Sequence, residues 1–350
     1  MSKTRILRAA LDVMHYSGAT SVARAGLQGL GSIFCLHQVL PGGGREQGFA
    51  PNSKLECEPE FLRGMIDLVR RRGLETISLA EAVQRLRDGN TRPFAVFTLD
   101  DGYKDNKQFA QPIFDAMNCP YTIFVAPRIA EGTSELWWRL LELVIQSTDH
   151  FKAEIAGQVY SLPTSTDAEK AQAYNALFPV LENLDQKEQR VVIRALCKQH
   201  KIDPDAYCRA VAMDWSELRE INKDPLCTIG AHTINHHAVG RMSEKDALSE
   251  LSESRKQISK AVGEDIRFNA YPYGDEPNAT ARDFVLAQKA GYEASVTTRK
   301  GVVFPGHAQH LQALPRIMVS GRFQELRYVD AMMSGLPTAL SNHFSKVNVA

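Results

Sequence analysis

Two acidic residues stand side by side where an apolar run ends: Asp100 and Asp101 in FTLDDGYKDN, residues 97–106. A divalent cation could give them separate jobs. One carboxylate would ligate it, which offsets the like-charge repulsion that otherwise raises one pKa, and the other would be free to take a proton. Taken alone, Asp-Asp-Gly reads first as a solvated turn, because Asp and Gly are ordinary turn residues. His232 and His236 in GAHTINHH add a second signal. Their i, i+4 spacing can put two imidazoles on one face of a helical turn and within reach of one cation, although a surface helix tolerates the same pair. Thr233, Ile234 and Asn235 lie between them, so no Glu is present to complete the HExxH arrangement of metalloproteases. A third ligand and a base must then come from another strand, and Asp101 and Asp100 meet that need. Two His and one carboxylate leave coordination positions open to water and substrate, as catalytic rather than structural sites do.

The elements that would position these groups form a regular series. Short β-rich runs (SIFCLHQVL, ETISL, FAVFTL, YTIFVA, CTIGA, FNAYP, EASVTT and LPRIMV) alternate with segments of helical period such as EFLRGMIDLVRRRG and SEKDALSELSESRKQISKAVG. That alternation predicts an α/β fold, with a barrel-like β/α arrangement as the natural closure for about eight such units. Working groups gather at the C-terminal ends of such strands, which is where Asp100, Asp101, His232 and the Tyr271-Pro272-Tyr273-Gly274 run all fall. Residues 134–223 break the rhythm and read as an insertion, a hairpin around Gly157 followed by three helices. Residues 1–31 read as an N-terminal helical segment and 32–350 as the barrel with its insertion.

Composition narrows the class. The 350 residues are 44% hydrophobic, and Lys plus Arg balance Asp plus Glu at 41 each, which gives no basic stripe for nucleic acid. Six scattered cysteines without a CxxC give neither a zinc knuckle nor a disulfide framework and read as reduced core residues. No secretory signal is recognisable and no apolar run nears the roughly 20 residues needed to span a bilayer, so a cytoplasmic location is expected. Lys3, Arg5 and Arg8 beside Ile6, Leu7, Leu11 and Met14 suit a docked terminal helix or one touching a membrane surface.

TLDDG resembles the T-F-D-D-G motif of the polysaccharide deacetylases of carbohydrate esterase family 4, the NodB-like barrels. GAHTINHH resembles their G-x-H-[ST]-x-x-H motif, and NAYPYG is similar to their third motif. The resemblance covers roughly residues 32–130 and 225–320 and implies a distorted β/α barrel of seven to eight strands. It implies Asp101, His232 and His236 as ligands of a divalent metal, zinc or another transition ion, with Asp100 as general base. It places the backbone N–H of Tyr273 at the developing oxyanion and gives Thr233 a supporting hydrogen bond in the metal loop. Three departures stand out. Ala270 occupies the place of the family's base-orienting Arg, for which Arg316 is the candidate replacement. The fifth-motif acid is not recognisable, which leaves His310, His307 or His237, with His310 preferred as the nearest to its strand. The Trp-bearing fourth motif is also missing from DEPNATARDF.

The implied reaction is hydrolysis of an N-acetyl group on an amino-sugar glycan or a glycolipid precursor. Two readings compete with it. One is an O-acetyl esterase or non-carbohydrate amidase on the same centre, and the other is a silent barrel that binds glycans. Trp137 and Trp138 read as sugar-stacking or core residues, and His37, at the end of the first strand, as a hydrogen-bonded structural imidazole.

Overall fold

The computed structural model describes residues 3–44 and 48–349. Twelve strands occur among them: β1 (Gly31–Leu36), β2 (Gln38–Val39), β3 (Glu56–Cys57), β4 (Glu75–Thr76), β5 (Phe94–Leu99), β6 (Tyr121–Val125), β7 (His150–Ile155), β8 (Gln158–Pro163), β9 (Cys227–Ala231), β10 (Phe268–Ala270), β11 (Ala294–Lys300) and β12 (Leu314–Met318). The parallel order β1-β12-β11-β10-β9-β6-β5 closes on itself where β1 pairs with β5, Gly31 opposite Phe94 through Leu36 opposite Leu99. β4 is an extra strand against the first residues of β5, Glu75 opposite Phe94. The barrel expected from the alternation of runs is therefore present, with all eight expected strands in the main sheet.

Period-two side-chain alternation sorts the strands into an inner and an outer face. Ile33, Phe94, Val96, Phe124, Phe268, Val296 and Leu314 pack with one another in the interior. Their neighbours Phe34, Leu36, Ala95, Phe97 and Leu99 face outward against helices 59–71 and 111–116. Such two-sided burial is why these strands read as continuous apolar runs. Gly230 of β9 is small for a steric reason: a Cβ there would lie 2.4 Å from the Phe124 ring that fills the interior.

The insertion carries a hairpin, β7 paired with β8 in antiparallel register from His150–Pro163 to Ile155–Gln158. Its turn has both Ala156 and Gly157 at positive φ, 52° and 76°. Four helices follow, 167–183, 186–199, 204–211 and 215–221, rather than the three expected. The breaks at Leu184-Asp185 and Ala212-Met213 carry no Gly or Pro, and the chain restarts on the N-caps Asp185 and Asp214. Together with helix 137–146 these elements build a second apolar cluster around Trp137, Leu141, Tyr174 and Leu177. Helices 3–16 and 19–27 form the N-terminal segment; the side chain of Lys3 lies outside the described residues. Among the described residues no helix is long and apolar enough to cross a membrane.

Candidate metal centre

All the strand ends of interest open on one mouth. β5 exits through Asp100 into Asp101 and Gly102 at φ 72° and 67°, a left-handed turn that lets the two carboxylates diverge instead of alternating across the strand. A non-glycine residue held there costs about 1–3 kcal/mol, a strain that typically collects at functional sites. Thr233, His236 and Tyr273 share that conformation, at φ 57°, 55° and 63°.

His232, at the exit of β9, is fixed by a 2.7 Å hydrogen bond between Nδ1 and the carbonyl of Ala270. That bond assigns the proton to Nδ1 and leaves Nε2 as a lone-pair donor. Nε2 lies 3.7 Å from Asp101 Oδ1, and Nε2 of His236 lies 3.2 Å from the same oxygen. One donor atom from each residue can be chosen so that all lie within 4.8 Å of one another. Ligands at about 2.0–2.1 Å from a tetrahedral cation are separated by roughly 3.3 Å, so these gaps suit a shared ion. Asp101 Oδ1 and His236 Nδ1 are buried without any hydrogen-bond partner among the described residues. An acceptor abandoned in this way is costly unless something occupies the space between. The triad therefore fits a divalent cation of the nitrogen- and oxygen-binding class; its donor set does not distinguish zinc from other transition ions. Burial pushes the His232 imidazole down to about 4, so it is neutral and able to ligate at ordinary pH.

The second Asp is held apart. Arg316, fully buried on β12, donates from both terminal nitrogens to Asp100, at 2.8 Å to Oδ1 and 2.7 Å to Oδ2. It also reaches Thr98 Oγ1 at 3.0 Å and the carbonyl of Thr297 at 2.9 Å. Burial alone would raise the Asp100 carboxyl, but the Arg316 charge and hydrogen bonds outweigh it and hold Asp100 well below the usual carboxylate range. The structure thus brings Asp100, Asp101, His232, His236, Tyr273 and Arg316 to one place, and all except Arg316 line a cavity of about 230 Å³. Asn52, Leu55, Trp137 and Trp138 complete its wall, and Lys54 and Glu182 also line it.

Tyr273 presents its backbone N–H without a partner among the described residues, while its hydroxyl accepts from Trp137 Nε1 at 2.8 Å. Trp138 lies against His236 with ring centroids 5.0 Å apart. Both tryptophans are buried, so they are core residues whose inner edges form the cavity wall.

Four expectations are corrected. His310 and His307 precede β12 on the loop entering its N-terminal end, at the opposite end of the barrel from the mouth; nearness to a strand in sequence does not say which end is near. His237 turns away from its neighbour and lines another cavity with Arg190 and Arg194. Thr233 Oγ1 has no partner among the described residues, so it does not brace the metal loop. Glu250 does, accepting from the N–H groups of Ile234 at 2.7 Å and Asn235 at 3.1 Å. A sequence signal for it existed: Glu250 interrupts the buried face of helix 244–262 among Ala247, Leu251, Ser254 and Ile258. His37 was expected to be hydrogen-bonded, yet it lines the cavity and its Nδ1 is buried without a partner among the described residues.

Residues 162–295 match the family model described as polysaccharide deacetylase. Over that stretch the chain is similar to the polysaccharide deacetylase family. The matched stretch holds the runs that resemble the family's second and third motifs and begins at the end of hairpin strand β8; the Asp100-Asp101 pair lies before it and Arg316 after it. A curated member, the putative polysaccharide deacetylase YxkH of Bacillus subtilis, is 29% identical over 93 residues, which span 27% of this chain and 32% of the relative. Among solved structures of family-like fold, the Streptococcus pyogenes deacetylase PplD, in complex with acetate, superposes with a TM-score of 0.56 at 15% identity, over 86% of this chain and 97% of that one. IcaB from Ammonifex degensii gives 0.53 at 17% identity, over 87% and 97%. At such identities the superpositions speak for the polysaccharide deacetylase fold alone.

Proposed function

We propose that the protein is a metal-dependent hydrolase that removes N-acetyl groups from an amino-sugar glycan or glycolipid. The observation that carries this reading is the juxtaposition of an open Asp-His-His triad with a second, separately held carboxylate in one cavity. Similarity to the polysaccharide deacetylase family over residues 162–295 supports the reaction class. Asp101, His232 and His236 would hold the cation, which when bound supplies Lewis acidity to the water and the acetyl carbonyl. Asp100 accepts the proton of the attacking water, and Arg316 fixes the orientation of its two oxygens. The Tyr273 N–H donates to the carbonyl oxygen as negative charge builds there, a contribution typically of about 3 kcal/mol. As the carbon–nitrogen bond breaks, the amine needs a proton. His37 is the imidazole lining the cavity outside the triad; burial lowers its pKa, so the proton it gives the amine is the one Asp100 takes from the water, and we assign it this role in place of His310.

The test is acetate release from an N-acetylated chito-oligosaccharide and an N-acetylated glycolipid, with and without chelator, by the wild type and Asp100→Asn. Release that the chelator and the substitution both abolish supports the reading. A metal-loaded protein that releases no acetate from either substrate, with Asp100→Asn indistinguishable from it, removes it.

A further inference from the structure

A second cavity, of about 350 Å³, lies between the N-terminal helix and the barrel, lined by Leu7, Leu11, Phe61, Ile317, Val329 and Met332 among others. It opens to the surface beside Leu7, which is half exposed, so a chain could enter it from outside. Met318, at the C-terminal end of β12, lines both this cavity and the metal cavity, so one side chain is common to the two walls. Arg8 Nε donates to the carbonyl of Arg322 at 3.1 Å, which ties helix 3–16 to the loop leaving β12 on the mouth side.

The outer face of that helix is also apolar. Ile6, Ala9, Val13 and Tyr16 follow spacings of three, four and three and are exposed, Val13 by 68% and Tyr16 by 73%. Val22 of the next helix is exposed as well. The first 31 residues carry Lys3, Arg5 and Arg8 against Asp12, a basic excess in a chain of zero net charge that leaves out Arg24, which is paired with Asp330 at 2.6 Å. An exposed apolar stripe on a basic segment is the pattern of a helix lying in an anionic membrane interface.

We propose that the cavity takes the hydrocarbon chain of a lipid-linked amino sugar, drawn from an anionic bilayer on which helices 3–16 and 19–27 rest. The sugar would then reach the mouth past Met318. This inference rests on the deacetylase reading for its headgroup, and it narrows the substrate class to glycolipids.

The experiment uses the full chain and the methyl and dodecyl β-glycosides of N-acetylglucosamine, titrated by calorimetry below the micelle concentration. The dodecyl glycoside is expected to bind at least about tenfold more tightly than the methyl. Met332→Trp or Leu11→Trp, each at a lining position of the cavity, should erase that preference in whichever variant keeps a native melting transition. Val13→Glu/Tyr16→Glu, exposed and outside the cavity, should lose co-sedimentation with vesicles of mixed phosphatidylglycerol and phosphatidylcholine. Equal affinities of the two glycosides for the wild type overturn the proposal, as does a dodecyl preference that survives in a folded cavity variant. A dimer that the Val13→Glu/Tyr16→Glu variant dissociates, with no vesicle binding by the wild type, overturns it in favour of a second copy on the stripe. Acetate release is read separately: tight dodecyl binding without release counts against the deacetylase reading while supporting the chain pocket.

Discussion

Arg316 and Asp100, 216 positions apart in the chain, meet as a two-point ion pair inside the barrel at 2.7 and 2.8 Å. A buried charge left without its partner is strongly destabilising, by about 3–5 kcal/mol. Arg316→Met is therefore expected to lower the melting temperature sharply. It should also move the acid limb of kcat/KM to higher pH, because burial then acts on Asp100 without its main counterweight. The sign follows from the depressed folded pKa: the pair's stabilisation is present above the unfolded carboxylate value near about 3.9 and is lost as pH falls toward the folded one. Asp100→Asn should reduce kcat by about 10²- to 10⁴-fold. A pH–rate profile and melting curves on both variants check this; an unmoved acid limb in Arg316→Met means that Arg316 does not tune the base.

Metal removal should be visible in stability before activity. A site filled at 100 times its Kd adds about 2.7 kcal/mol, so a chelator should lower the melting temperature of the wild type and leave His232→Ala unmoved. Glu250 touches no ligand atom but holds the N–H groups of Ile234 and Asn235 in the turn carrying His236. Glu250→Gln is expected to weaken cation binding by about 10- to 100-fold, as loss of supporting contacts around metal ligands commonly does. Metal titration followed by calorimetry decides, and wild-type affinity in Glu250→Gln would make its role purely structural.

The strands were legible because burial on both faces leaves a continuous apolar run that sequence shows directly, and the Asp and His groups were legible because each stands at the end of one. Arg316 could be placed near the base because alternation sets Leu314, Arg316 and Met318 on one face of β12. Glu250 and His37 were harder. Whether a buried polar group is satisfied depends on which backbone groups pass near it in space, and the loop 233–237 meets helix 244–262 only after folding. The number of helices in the insertion was hard to read because nothing in Leu184 or Ala212-Met213 opposes a helix; Asp185 and Asp214 restart it, Asp214 by accepting from the N–H groups of Ser216 and Glu217.

The two candidate proton donors separate cleanly by position. His310 precedes β12 at the end away from the mouth, so His310→Gln should leave kcat and KM within about twofold of wild type, as surface changes usually do. His37→Gln should lower kcat by about 10²-fold or more with KM little changed, because the lost interaction belongs to the transition state. The loss should shrink for a substrate whose leaving group needs no proton, such as an activated acetyl ester. Steady-state kinetics on both variants with an amide and an ester substrate give the comparison; equal losses on the two substrates would reassign His37 to positioning.

His307 supplies a pH dependence remote from the site. Its imidazole is buried, Nδ1 accepts from the N–H of Phe304 at 2.9 Å, and Nε2 has no partner among the described residues. Burial brings it down to about 4. The unfolded chain, with His near about 6.5, takes up the proton first as pH falls. Stability is therefore full above that value, declines between about 6.5 and about 4, and levels off below, with a loss of up to about 3 kcal/mol from this residue. His307→Phe removes the titration and should flatten that part of the curve, whatever its effect at neutral pH. Urea midpoints measured from pH 7 to pH 4 test this, and the same slope in His307→Phe as in the wild type would assign the acid sensitivity to other groups.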